Sequence, residues 1–159
     1  MPNLSVLRVI SYNANRIAAN RADEAIAELA TTVLAGAIQC FQEVSSWPSK
    51  EEFKNSTITS YSVYRKAESY VAIAVPPMWT PFVTGWDSTD FSAWMFLFTE
   101  IAILNLYLPD SAKSDELYVS AVQQVKELVR SGIFTGRSLV IVGDLNVELP
   151  PEIPNFTGV

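Results

Sequence analysis

Apolar residues along the chain fall into short runs of β type, interrupted by segments of helical period. "LSVLRVISY" is apolar and rich in β-branched residues, which predicts a strand with ends near residues 5 and 12, and Asn13 is the first polar residue after it. In "NRADEAIAELATTVLAG" the positions Ala22, Ala25, Ile26, Leu29 and Val33 recur at helical spacing. They line one face of a helix, with Asn20 as N-cap and Gly36 just past the end. "AIQCFQEV" then reads as a buried strand closing in Gln42 and Glu43, and strand, helix and strand together make a βαβ unit.

Ser49 and Glu52 fit a capping box, so a short helix is expected over "KEEFKN" after Pro48. "YSVYRKAESYVAIAVPP" predicts two strands joined by a turn near Ala67 to Ser69, with Pro76 and Pro77 stopping the second. "WMFLFTEIAILNLYLPD" predicts another pair, ending at Tyr107 and Pro109. Farther on, Leu117, Ala121, Val125 and Leu128 form a helical stripe, capped by Ser114, opened by acidic residues and closed by Arg130 and Gly132. "SLVIV" is the last strand. No repeat, low-complexity tract or linker divides residues 1–159, so one α/β domain containing hairpins is expected. Neither a Gly-x-Gly-x-x-Gly turn nor a Walker A loop is present.

Composition narrows the chemistry. Hydrophobic residues make up 49% of the 159, enough for one sizeable core. The apolar runs are far shorter than the roughly 20 residues of a membrane-spanning helix, and no basic and apolar leader opens the chain. No membrane role and an intracellular location are therefore expected. Cys40, the single cysteine, sits inside an apolar run and reads as a small buried strand residue rather than a reactive thiol. The chain has no histidine, which removes Ser/His/Asp and Cys/His arrangements and His-rich zinc sites at once. Carboxylates, amides, hydroxyls and lysines are left. A net charge of −6 with scattered basic residues argues against strong nonspecific binding of nucleic acid.

Four apolar runs end in polar residues: Asn13, Glu43, Tyr107 with Asp110, and Asp144 with Asn146. Ligands of α/β sheets sit beyond strand ends, so the coincidence points to one site. While the backbone stays extended, Asp144 and Asn146 face the same side, and Gly143 lets the chain pass close to what lies there. Mg²⁺ takes oxygen ligands, one or two carboxylates with water and phosphate, and Glu43 and Asp144 could supply them. Each residue also has a plainer role: "GDLN" as a turn, Glu43 as a solvated loop residue, Asn13 as an Asx-turn, Tyr107 as core. Their joint order favours the site.

The runs "LRVISYNAN", "AIQCFQEVSSW", "YVAIAVP", "LNLYLPD" and "SLVIVGDLNVELP" resemble, in that order, the endonuclease/exonuclease/phosphatase superfamily, in particular AP endonucleases and non-LTR retrotransposon endonucleases. The resemblance implies a DNase I-like four-layer α/β sandwich with mixed sheets. It also implies a nucleic-acid endonuclease, a hydrolase dependent on Mg²⁺ or Mn²⁺, with DNA as substrate and a nuclear location if of retroelement or repair type. Carried over residue by residue, the resemblance implies that Glu43 binds the metal and Asn13 supports it, that Asp144, also near the metal, orients or deprotonates the attacking water, and that Asn146 and Tyr107 hold the phosphate.

Members of the family continue to a C-terminal Asp-His pair whose histidine contacts the scissile phosphate. No counterpart occurs in this sequence. The expectation is thus a partial domain lacking C-terminal strands, with impaired hydrolysis. Two other readings stand beside it: an inactive fragment or binding module of retroelement origin, and a phosphoesterase for phosphoinositides or other small molecules.

Overall fold

The segments Ile38–Gln42 and Val71–Val75 are buried at every position; the second reads as an unbroken apolar run, and the first is buried throughout although Gln39 and Gln42 interrupt its apolar residues. Each must be covered on two faces. The computed structural model describes residues 7–15, 17, 19–32, 36–48, 60–110 and 115–146. In it β1 (Val9–Asn13), β2 (Ile38–Gln42), β3 (Ser62–Tyr64) and β4 (Val71–Val75) form one sheet, in the order β1-β2-β4-β3. A second sheet holds β5 (Val83–Ser88), β6 (Ser92–Leu97), β7 (Ile101–Tyr107) and β8 (Ser138–Asp144) in chain order. Both are mixed: β1 runs parallel to β2 and β7 to β8, and the other neighbours are antiparallel.

Alternation along the strands sorts the side chains into layers. Between the sheets, Ile38, Cys40 and Ile73 meet Met95, Ile103 and Val142. On the outer face of the first sheet Phe41, Ala72 and Ala74 pack on Ala22, Ile26 and Leu29 of helix α1 (Ala22–Thr32). Ala102, Leu104 and Leu106 on the other outer face meet Val125 and Leu128 of helix α2 (Asp115–Arg130). Helix, sheet, sheet and helix stack as four layers, as the family resemblance implies. Burial of each large aliphatic or aromatic side chain contributes about 1.5 to 3 kcal/mol, so the three layers of contact supply most of the stabilisation.

Departures from the sequence reading have local causes. Asn13 is the last residue of β1, not the first after it, because it pairs in register with Gln42. A 3-10 turn, Ala19–Arg21, extends α1 backwards, so Asn20 lies within that turn and not at a cap. Strand β5 escapes the pattern because a bulge between Val83 and Gly85 shifts the register and breaks the period-two alternation. Val33, the Ser114 cap and the short helix after Pro48 lie outside the described residues.

Cys40 is fully buried between the sheets, and burial pushes its thiol well above the ordinary range. A thiol reagent such as DTNB is therefore expected to react with the native protein no faster than the protein opens, and at once in denaturant. Rapid stoichiometric labelling of the native chain would contradict this packing.

Candidate active site

Two βαβ units, β1-α1-β2 and β7-α2-β8, carry the carboxyl ends of their parallel strands to one rim of the sandwich, where β8 lies against β1 and β2. The polar residues singled out from the sequence gather at that rim. Asn13 Nδ2 donates to Asp144 Oδ2 at 2.8 Å, joining residues 131 positions apart. The other carboxylate oxygen, Oδ1, accepts the Asn146 backbone N–H at 3.1 Å. Asp144 pairs in register with Tyr107, and the Tyr107 hydroxyl donates to Glu43 Oε1 at 3.4 Å. One chain of contacts thus links Asn13, Asp144, Tyr107 and Glu43.

The plainer roles are also filled. Asn13 Oδ1 accepts the Asn15 N–H at 2.7 Å, an Asx-turn, while its amide nitrogen serves Asp144. Asn146 donates Nδ2 to the Leu108 carbonyl at 2.6 Å, so one of its two amide hydrogens is committed and one is left for a ligand. Turn and site are two uses of the same side chains.

Glu43 has φ +58°, a left-handed conformation uncommon for a residue with a long side chain. In an extended strand Glu43 would face away from Gln42. The left-handed step returns its carboxylate to the inner side, towards Tyr107. The Ala14 N–H bond to the Gln42 carbonyl at 2.9 Å and the Val44 N–H bond to the Tyr70 carbonyl at 3.2 Å hold the backbone on either side. A left-handed L-residue costs about 1 to 2 kcal/mol, against about 0.5 to 1 kcal/mol for the extra chain entropy of glycine. Glu43→Gly is therefore expected to match or exceed the wild-type stability by up to about 1 kcal/mol while removing the carboxylate. A denaturant midpoint well below wild type would refute the strain.

The loop after Glu43 is anchored by Arg65, a buried residue missed in the sequence. Its guanidinium donates to the carbonyls of Ser45, Trp47 and Ser69, tying the "EVSSW" turn to the β3–β4 hairpin. Beside it Tyr70 stacks on Phe91 with ring centroids 5.3 Å apart and leans on Tyr107 at 5.7 Å, forming an aromatic wall next to Glu43. Only tertiary contact distinguishes these residues from ordinary core and surface ones.

The donor set is suited to a hard cation. Among the described residues no three Asp, Glu, Cys or His side chains gather as a metal cage. Mg²⁺ does not need one, since one or two carboxylates suffice when water and phosphate complete its shell. Among the described residues Glu43 is met by the long Tyr107 contact alone and has lone pairs to offer; Asp144 already accepts two hydrogen bonds and is the more constrained of the two.

Solved structures match this architecture across most of the chain. TDP2 from Caenorhabditis elegans aligns with a TM-score of 0.54 and 20% identity over 88% of this chain and 48% of its own. The endonuclease domain of TRAS1, a telomere-specific non-LTR retrotransposon, gives 0.53 and 21% over 91% and 61%. The chain shares their four-layer α/β sandwich fold. A D. rerio TDP2 humanised by 14 mutations shares that fold at a TM-score of 0.54 and 12% identity, over 94% of this chain and 65% of its own. The chain spans about half to two thirds of the length of these structures. The sequence matches no family model, and no curated protein matches it.

Proposed function

We propose that this chain is part of a divalent-metal-dependent phosphodiester hydrolase of nuclease type. The observation that carries the reading is the 2.8 Å bond between Asn13 and Asp144, which puts an oriented carboxylate beside Glu43 and Tyr107 at one rim. The endonuclease named among the structural neighbours supports nucleic acid as the substrate class.

In this reading Glu43 is the principal metal ligand, with Asp144 near enough to contribute. A bound Mg²⁺ or Mn²⁺ would supply Lewis-acid stabilisation of the phosphoryl oxygens. Asp144 orients the attacking water and takes its proton, held by Asn13 on one oxygen and the Asn146 N–H on the other. The free Asn146 amide hydrogen would stabilise the charge that develops on the phosphate, and the Tyr107 hydroxyl would join it by turning its one hydrogen from Glu43 to the phosphate.

The net charge of −6 supplies no general pull on a polyanion. Arg65 is spent on carbonyls and Lys66 is paired with Asp87. Binding is thus weak and local. The test is nicking of supercoiled plasmid at low salt with Mg²⁺ or Mn²⁺, against an EDTA control, with abasic DNA and inositol phosphates assayed in parallel. Metal-dependent nicking lost in Glu43→Ala and in Asp144→Ala supports the reading, and nicking that survives both changes sinks it. Preferential turnover of inositol phosphates would move the substrate to small phosphoesters.

A second reading is a domain of retroelement ancestry that binds without hydrolysing, motivated by the retrotransposon endonuclease domain among the structural neighbours. DNA binding with no metal-dependent product at any enzyme concentration would select it.

A further inference from the structure

We propose that the buried amide pair of Asn105 and Gln42 positions the candidate site, setting the separation of the two sheets one rung below the contact between Tyr107 and Glu43. The inference rests on the functional reading for its effect on metal binding, and not for its geometry.

Asn105 lies in β7 and is completely buried, yet every partner of its side chain belongs to the other sheet. Its Nδ2 donates to the carbonyls of Phe41 at 2.9 Å and Ala72 at 3.0 Å, which sit opposite each other on β2 and β4. Its Oδ1 accepts Gln42 Nε2 at 2.8 Å, and that nitrogen also reaches Ser11 Oγ at 3.1 Å. One side chain of the second sheet therefore grips the two central strands of the first, and Gln42 extends the grip to β1.

Around this pair the layer between the sheets is apolar. An apolar pair of similar size would fill the same space, so packing alone does not account for the amides. Hydrogen bonds differ from apolar contacts in fixing direction and register. The pair lies where register matters: Tyr107 follows Asn105 by two residues on the same face of β7, and Glu43 follows Gln42 directly through its left-handed turn. The 2.8 Å rung fixes the sheets beneath the longer 3.4 Å rung of Tyr107 and Glu43. Asn105 and Gln42 touch no substrate. They are positioning residues, acting through Glu43 and Tyr107.

The test uses the full chain and replaces both amides by apolar residues of similar shape, Gln42→Met with Asn105→Val. Two readouts are taken: the Tyr107 Oη to Glu43 Oε1 separation in a crystal structure, and the affinity for Mn²⁺ alone by electron paramagnetic resonance. The expected result is a folded protein in which that contact is lost and Mn²⁺ binds about tenfold more weakly, the size of effect typical of groups that orient a metal ligand. A folded variant that keeps the contact at its wild-type distance overturns the proposal. If the double variant does not fold, Gln42→Met alone is judged by the same distance, since it leaves both Asn105 bonds to the carbonyls in place. Wild-type protein that binds no Mn²⁺ sinks the functional reading instead, and the distance still decides the role of the amides.

Discussion

Gly143→Ala lowers the melting temperature by about 10 °C or more and uncouples the end of β8 from β7: this is the largest stability effect expected in the chain. Gly143 has φ +141°, and a Cβ placed there would lie 2.0 Å from the Leu106 carbonyl oxygen and 2.8 Å from the Leu106 carbonyl carbon. Leu106 is its register partner in the neighbouring strand. The obstacle is backbone, which no rotamer change moves aside, so β8 must part from β7 just before Asp144. A cost of about 4 kcal/mol follows, and at about 2 to 4 °C per kcal/mol it gives the stated shift. Gly136→Ala is the control. That glycine also has a positive φ, +81°, but nothing lies within 4 Å of the added carbon. Only backbone strain remains there, about 1 kcal/mol. Thermal melts of the two variants separate collision from strain, and equal shifts would disprove the close approach.

The second large effect is on rate. Asp144→Asn is expected to lower metal-dependent nicking by about 10² to 10⁴, the range for removing a general base, with the melting temperature nearly unchanged because the amide can keep one of its two hydrogen bonds. Glu43→Ala is expected to abolish metal-dependent nicking, with weaker Mn²⁺ binding, because it removes the carboxylate proposed as the principal metal ligand. Asn13→Ala acts only through the orientation of Asp144, so its loss is smaller. Combined with Asp144→Asn it adds almost nothing, since residues acting as one unit are strongly non-additive. Full additivity of Asn13→Ala and Asp144→Asn in a single-turnover assay would separate the two residues and dismantle the proposed unit.

Much of the arrangement was legible one segment at a time. The spacing of Ala22, Ile26 and Leu29 announces α1, and all three are buried against the first sheet. The runs "AIQCF" and "VAIAV" announce strands covered on both faces, and they are. Strand β5 was not legible, because the bulge at Val83 and Gly85 puts its inward residues out of phase. Asn105 was visible only as an amide inside "IAILNLYL", with nothing in the chain to say what it would meet.

Local pattern by itself determined most of the elements, β5 excepted, and the polar residues at strand ends, because period and capping act over a few residues; the four-layer order entered only through the family resemblance. What only the tertiary structure decided is which of those ends meet. The Asn13 bond to Asp144, the Tyr107 contact with Glu43 and the grip of Asn105 on Phe41 and Ala72 join residues 131, 64, 64 and 33 positions apart. Such pairs are set by sheet order, strand register and the left-handed turn at Glu43. Those belong to the packing of two sheets against each other, and no stretch of sequence contains them alone.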